Sequence, residues 1–340
     1  MTGRRLGRLL PLLTLILVSC NPIASGAAPS SSAPSSRGVA GAGSGTATVR
    51  RVSGLKKPYG VAVGSGSVWV TEYEQGYLNR IDPATDRVVA RVHVGPHASH
   101  VLIQDGFAWV LDDLGSALIR INVGSNRVID QTPLQGGFNM RPSDLAGGAG
   151  SLWVTMGSNA FTSAGKSLPS ELLRIDTATS AVTVIPIDGV ASGVALGGGA
   201  VWVSSILVEP TSIFRIDPAT NRVVARIETG HAVSGPLAFG DSALWVANND
   251  GYLTRIDARS NKVIGNFELG SPEWAAMLAV GKDLWISAPL DNILARFDPT
   301  IGAVASTVRA GGRPQVFALL GSDIWVANYV DGTVAKLPIN

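Results

Sequence analysis

Cysteine is almost absent: Cys20 is the only one in 340 residues, so no disulfide can form within the chain and its fold must be held by a core. Long apolar runs are missing as well. The one extended stretch, Leu9 to Val18, covers ten residues and is broken by Pro11, whereas a bilayer span needs about 20. Lys and Arg number 27 against 25 Asp and Glu, with no basic run and no basic segment interleaved with aromatics, which removes nucleic acid from the expected partners. The four histidines form no HxH or HExxH pair, and no DxDxDG loop occurs, so the common zinc and calcium motifs are not written here.

The first residues are organised around that lone cysteine. Arg4, Arg5 and Arg8 precede the apolar stretch and a small residue follows it, the pattern of an export signal over residues 1–19. Leu17, Val18, Ser19 and Cys20 resemble a bacterial lipobox, which implies lipidation of Cys20 and a membrane partner reached through that lipid. Removing residues 1–19 takes away three arginines and no acid, so the net charge of +2 falls to about −1. Residues 20–48 are Ser, Ala, Gly and Pro with little else and no aromatic. Such a composition cannot offset the entropy of ordering, and as a random coil it reaches on the order of 30 Å. The expected localisation is extracytoplasmic, anchored to a bacterial membrane.

Residues 49–340 are repetitive. A short apolar strand centred on tryptophan recurs at Trp69, Trp109, Trp153, Trp202, Trp245, Trp285 and Trp325, with gaps of 40, 44, 49, 43, 40 and 40 residues. A period near 40 to 45 means supersecondary units that bury their faces by stacking on neighbours. The first unit reads YGVAVG, GSVWVTEYE, GYLNRIDPATD, RVVARVHVG: four short Val-rich stretches bounded by Gly, Pro, Asp or Asn, which are strands with turns between them. Four strands per unit and seven units predict an all-β, seven-bladed β-propeller. The seventh unit holds only three strand patterns, while ATVRRVSG at 47–54 matches an outer strand, so the N-terminal strand is expected to close the ring by joining the last blade.

A second phrase ends each third strand: RIDPATD at Arg80, RINVGSN at Arg120, RIDTATS at Arg174, RIDPATN at Arg215, RIDARSN at Arg255 and RFDPTIG at Arg296. Its carboxylate can accept backbone N–H bonds in a tight turn. Calcium is the other reading, but each acid stands apart from the next, which favours the turn. The arginines read as stacking or ion-pairing groups.

These monotonous turns lie on one face of the ring, and the connections that vary between blades lie on the other, the top, where a site is expected. The top segments place Tyr59, His97, His100, Arg141, His231, Glu273, Trp274, Arg313 and Gln315 around the central mouth, with Glu72 and Asn328 at the ends of second strands. Only His93 is expected within a strand. Blade three carries the longest top loop, GSNAFTSAGKSLPSE, and Trp274, the eighth tryptophan, stands outside the repeat. It reads equally as a stacking surface or as a channel plug.

RIDPATNRVVARIETG and WVANYVDGTV resemble the YVTN-type repeats of YncE-like propellers, a likeness that covers essentially all of 49–340 and implies the fold more than an activity. PYGVAVGSGSVWVTE followed by RIDP also resembles virginiamycin B lyases, seven-bladed propellers that open streptogramin B rings by magnesium-dependent elimination. Tyr59 matches that family's mouth tyrosine. Its histidines and most of its metal-holding glutamates have no counterpart in SPEWAAM and GRPQVFA, where Glu273, Trp274 and Gln315 stand, and Asn328 replaces a further glutamate. The expectation is a monomeric module that binds a small molecule, cell-wall component or protein, with no cofactor. A lyase or hydrolase built from His97, His100 or His231 with Glu72 or Glu273, using magnesium if lyase-like, is the alternative.

Overall fold

The computed structural model describes residues 49–137, 140–148, 150–158, 170–206, 210–270 and 273–339; Cys20, the signal, the tether and most of the blade-three loop lie outside them. Every regular element is a strand, and the strands form seven four-stranded antiparallel sheets. Blade one shows the plan: inner strand Pro58–Gly64, then Ser67–Glu72, Tyr77–Asp82 and the outer strand Arg87–His93. Successive inner strands neighbour one another around the ring, the seventh beside the first. In blade seven, Pro314–Leu320, Asp323–Asn328 and Thr333–Pro338 are completed by Arg50–Ser53, with Val52 opposite Val334. The N-terminal strand closes the ring, as its outer-strand pattern predicted.

The repeated tryptophans explain the seams. Each lies on a second strand, where neighbouring side chains alternate between faces, and each packs into the apolar face of the following blade. Trp69 meets Ala108, Val110 and Ile119, and Trp153 meets Val201, Val203 and Phe214. Trp325 closes the circle against Val68, Val70 and Ile81. Six of the seven are at most 1% exposed, and Trp285 is 8% exposed.

Directly opposite each tryptophan on the third strand stands the base of the second phrase: Arg80 across from Trp69, Arg174 from Trp153, Lys336 from Trp325. In six blades the cation lies 5.0–5.3 Å from the indole, a favourable geometry for cation–π attraction. Several of these bases also reach the next blade's outer turn. Arg174 donates to Pro218 O at 2.6 Å and Asn221 Oδ1 at 2.8 Å. Arg215 donates to Asn261 Oδ1 at 2.9 Å, and Lys336 to Pro83 O at 2.8 Å.

The accepting residue is set by backbone chirality. Asp86, Asn126, Asn221 and Asn261 end their turns with φ of 55–57°, a left-handed conformation that Asn and Asp tolerate while offering a side-chain oxygen. Where the turn ends in Ser180 or Gly302, the corresponding guanidinium pairs within its own blade: Arg120 with Asp130 at 3.7 Å, Arg255 with Asp241 at 2.6 Å. The aspartates of the phrase are turn acceptors, as expected; Asp217 Oδ1 takes the Ala219 N–H at 2.9 Å and Oδ2 the Thr220 hydroxyl at 2.9 Å.

Candidate functional site

The top mouth is built on irregular inner strands. Six of the seven slip register near their start, for example between Pro58 and Val61 and between Ala191 and Val194. Second-strand hydroxyls fill two of these bulges from behind. Thr71 Oγ1 accepts the Gly60 N–H at 2.8 Å and donates to Ser99 O of the next blade at 2.7 Å. Ser204 repeats the device, accepting from Gly193 and donating to Gly235 O at 2.9 Å. A side chain at Gly193 would collide with that carbonyl, since its Cβ would lie 1.9 Å from Gly235 O. Blade six differs: its inner strand, Ala276–Val280, has no slip, and Trp274 occupies the approach to it.

Aligning the inner strands on their partners beside tryptophan gives one ring position occupied by Gly60, His100, Asp144, Gly193, Pro236, Ala276 and Val316. Only blades two and three present titratable groups there. The ring encloses a funnel of about 440 Å³, lined among others by Tyr59, His100, Asp144, Glu273, Trp274 and Gln315. On the blade-four and blade-five side the wall includes Gly193 and Gly235, so side-chain chemistry gathers on the opposite side.

That chemistry is one connected cluster. His100 Nε2 is 3.7 Å from Asp144 Oδ1. Asp144 also accepts the backbone N–H of Leu145 at 2.8 Å and of Val194, on the next blade, at 2.9 Å. Tyr59 lies edge-on to His100 at 5.5 Å and 5.8 Å from Tyr73. Tyr73 donates its hydroxyl to Asp113, 3.2 Å from either carboxylate oxygen, and His97 abuts the Tyr73 ring at 5.2 Å. Tyr329 approaches Tyr59 from blade seven at 6.4 Å, with the Lys57 ammonium 4.7 Å from its ring centre.

Burial shapes the ionisation of this cluster. It pushes the Tyr59 phenol up to about 12, with Asp113 and Asp144 adding to the effect. Burial also raises Asp144, against the pull of His100 and the two backbone donors, and raises Asp113 against the Tyr73 hydrogen bond. The Tyr73 and Tyr329 phenols are likewise raised, chiefly by burial. The tyrosines therefore act as neutral hydrogen-bonding and packing groups near pH 7. Perturbed carboxylates in a cleft are a mark of functional sites.

The other sequence candidates are distributed differently. His100 lies inside the strand Ala98–Gln104, a correction to the expectation that only His93 does so; the slip between Ala98 and Val101 made it read as loop. Arg141 and Gln315 also sit on inner strands, Arg141 exposed and Gln315 buried. Glu72 is buried and bound to Arg91 of its own blade at 2.7 Å, and faces no histidine among the described residues. Asn328 is buried and donates to Ala310 O and Thr333 Oγ1, each at 3.1 Å. His231 stands away from the funnel, 2.6 Å from Asp250 and stacked on Tyr252 at 4.3 Å. Arg313 lies 3.6 Å from Glu273 at the rim. Trp274 is 6% exposed and forms wall between the funnel and a second cavity of about 390 Å³ with Leu269, Leu290 and Ile293. Its indole N–H has no acceptor among the described residues.

Asp144 is the residue that sequence reasoning passed over. Its signal was available in MRPSD, because alignment of the inner strands puts an acid where blade two carries His100 and the other blades carry Gly, Pro, Ala or Val. Among the described residues no three His, Cys, Asp or Glu side chains converge to hold a metal, so the residues present do not fit the magnesium that the lyase resemblance implies.

No protein-family model and no curated protein matches the chain. Solved structures do. The chain is similar to Kuenenia stuttgartiensis hydrazine synthase at 15% identity and a TM-score of 0.70, over 84% of this chain and 96% of that one. It is similar to BamB from Moraxella catarrhalis at 13% identity and a TM-score of 0.58, over 83% and 84%. The computationally designed Ika8 protein matches at 11% identity and a TM-score of 0.63, over 84% and 98%. At such identities the likeness is one of fold alone, and the chain is a seven-bladed, all-β propeller.

Proposed function

We propose that this protein is an exported, membrane-tethered propeller lipoprotein that binds a small molecule, cell-wall component or protein at its top face and performs no chemistry on it. The funnel carries this reading. It is concave and large enough for a small ligand, its mouth is braced by second-strand hydroxyls, and its side-chain chemistry is concentrated at the face that departs from the repeat. Lipidation at Cys20 and the 20–48 tether would hold the propeller near a membrane surface. The full chain should incorporate labelled fatty acid and fractionate with membranes, and Cys20→Ala should do neither. An envelope pull-down that recovers the same species with the wild type and with the Tyr59→Ala and Trp274→Ala variants would defeat the binding reading.

One observation favours a catalytic reading: His100 stands between Asp144 and Tyr59, an arrangement able to move a proton. Incubation with a streptogramin B, with and without magnesium, followed by mass spectrometry, decides it. An opened ring supports catalysis, and an intact one removes the lyase alternative.

A further inference from the structure

We infer that the ligand of the top-face funnel is an organic ammonium compound, its cationic group held in the sector formed by Tyr59, His100 and Asp144 and its apolar body against Trp274 and Phe317. This rests on the reading of the funnel as a ligand site and names the class of ligand.

The charge of the lining carries the argument. Its charged residues are Asp144 and Glu273, and it includes no Lys or Arg. The nearest bases are occupied at the rim: Arg313 faces Glu273 and Lys57 lies against Tyr329. An anionic ligand would meet two carboxylates offset only by His100 beside Asp144 and Arg313 beside Glu273, while an ammonium group would bring Asp144 a permanent cation that no Lys or Arg of the lining supplies. Asp144 is held by backbone N–H donors from two blades, so its position is fixed before anything binds. Burial already raises it, against the pull of His100 and the two backbone donors.

The aromatic content agrees. Tyr59, Trp274 and Phe317 line the same space, and electron-rich ring faces attract ammonium groups, most strongly when water is excluded. The Lys57 ammonium against the neighbouring Tyr329 ring shows that contact already made at the rim. A bare metal ion fits less well, because among the described residues no third ligating side chain joins Asp144 and His100. A volume of about 440 Å³, walled also by Leu237 and Met277, suits a molecule with an apolar body.

Three probes of one shape separate charge from fit: benzylamine, benzyl alcohol and benzoate, titrated into the full-length protein in detergent and followed by calorimetry or ligand-observed NMR. Benzylamine should bind about tenfold tighter than benzyl alcohol, and benzoate should not bind. Asp144→Asn should remove most of that preference. Glu273→Gln, at a partly exposed rim position whose ion pair with Arg313 is long, should weaken benzylamine roughly threefold and shift the alcohol by less than that. The inference is overturned if benzylamine fails to bind, if the alcohol or benzoate binds as tightly, or if both variants bind benzylamine as the wild type does. Binding of the alcohol or benzoate that is lost in Trp274→Ala would end the ammonium assignment and leave the binding-module reading standing. Silence from all three probes ends the ammonium assignment, and the envelope pull-down then judges the wider reading by itself.

Discussion

The aspartates on the two faces of the ring have opposite electrostatic fates. On the bottom, backbone N–H donors of Ala84, Thr179, Ala219 and Thr300 lower Asp82, Asp176, Asp217 and Asp298, and the Ser260 hydroxyl leads the same effect at Asp257. On the top, burial raises Asp113 and Asp144. The bottom carboxylates are half-buried and satisfied by donors within their own turns, so one solution could be repeated around the ring. The top carboxylates are partly withdrawn from water with no Lys or Arg paired to them, a state that costs stability and that folding alone gives no reason to keep.

The largest effect should come from breaking the repeated part. Trp153→Ala empties a fully enclosed site between blades three and four and should cost about 3–5 kcal/mol, read from urea unfolding. The bottom seams offer a finer test. Arg174→Ala removes two short bonds into blade four and should cost about 1–3 kcal/mol. Arg120→Ala loses a longer pair with half-exposed Asp130 and should cost under about 1 kcal/mol. Equal losses would mean that the bond to the neighbouring turn adds nothing to the seam.

The pH response should separate the faces by sign. Asp113 has a folded-state pKa raised by burial, so its contribution is present below the unfolded value of about 3.9 and is lost as pH rises through the folded value. Asp113→Asn should therefore gain on the wild type as unfolding is measured from pH 4 to pH 7. Asp217 is lowered, and its contribution is present above that same unfolded value and lost as pH falls through the folded one. Asp217→Asn should lose against the wild type as pH rises over the same interval, and parallel curves for the two variants would erase the contrast. Smallest of all should be Trp274→Phe, which keeps an aromatic wall and removes a donor without an acceptor. Its unfolding free energy should stay within about 1 kcal/mol of the wild type.

The repeat made the fold legible. Seven tryptophans at near-constant spacing gave the blade count, and the outer-strand likeness of residues 47–54 gave the closure that Arg50–Ser53 makes with Thr333–Pro338. The site was legible only in outline. Tyr59, His100 and Trp274 were found because they stand where blades differ. Asp144 and Asp113 took on meaning once register and burial were known, since nothing in a carboxylate's own sequence neighbourhood tells how much water it keeps. Glu72 and Asn328 show the converse: each sits at the end of a second strand near the top face, yet the Glu72 carboxylate is taken by Arg91 and the Asn328 amide nitrogen by Ala310 and Thr333.

The strand Arg50–Ser53 finds its partner in Thr333–Pro338, near the opposite end of the chain. A growing chain makes the first stave of the ring long before the strand that receives it. Until the last strand emerges, the faces of blades one and seven that meet at Trp325 and Val68 have nothing to cover them. Closure is then a single late step of very high sequence separation, the slowest kind of contact to form. The order of synthesis leaves the seven blades as an open arc until Thr333–Pro338 has been made, and the pairing of that strand with Arg50–Ser53 decides when the arc becomes a ring.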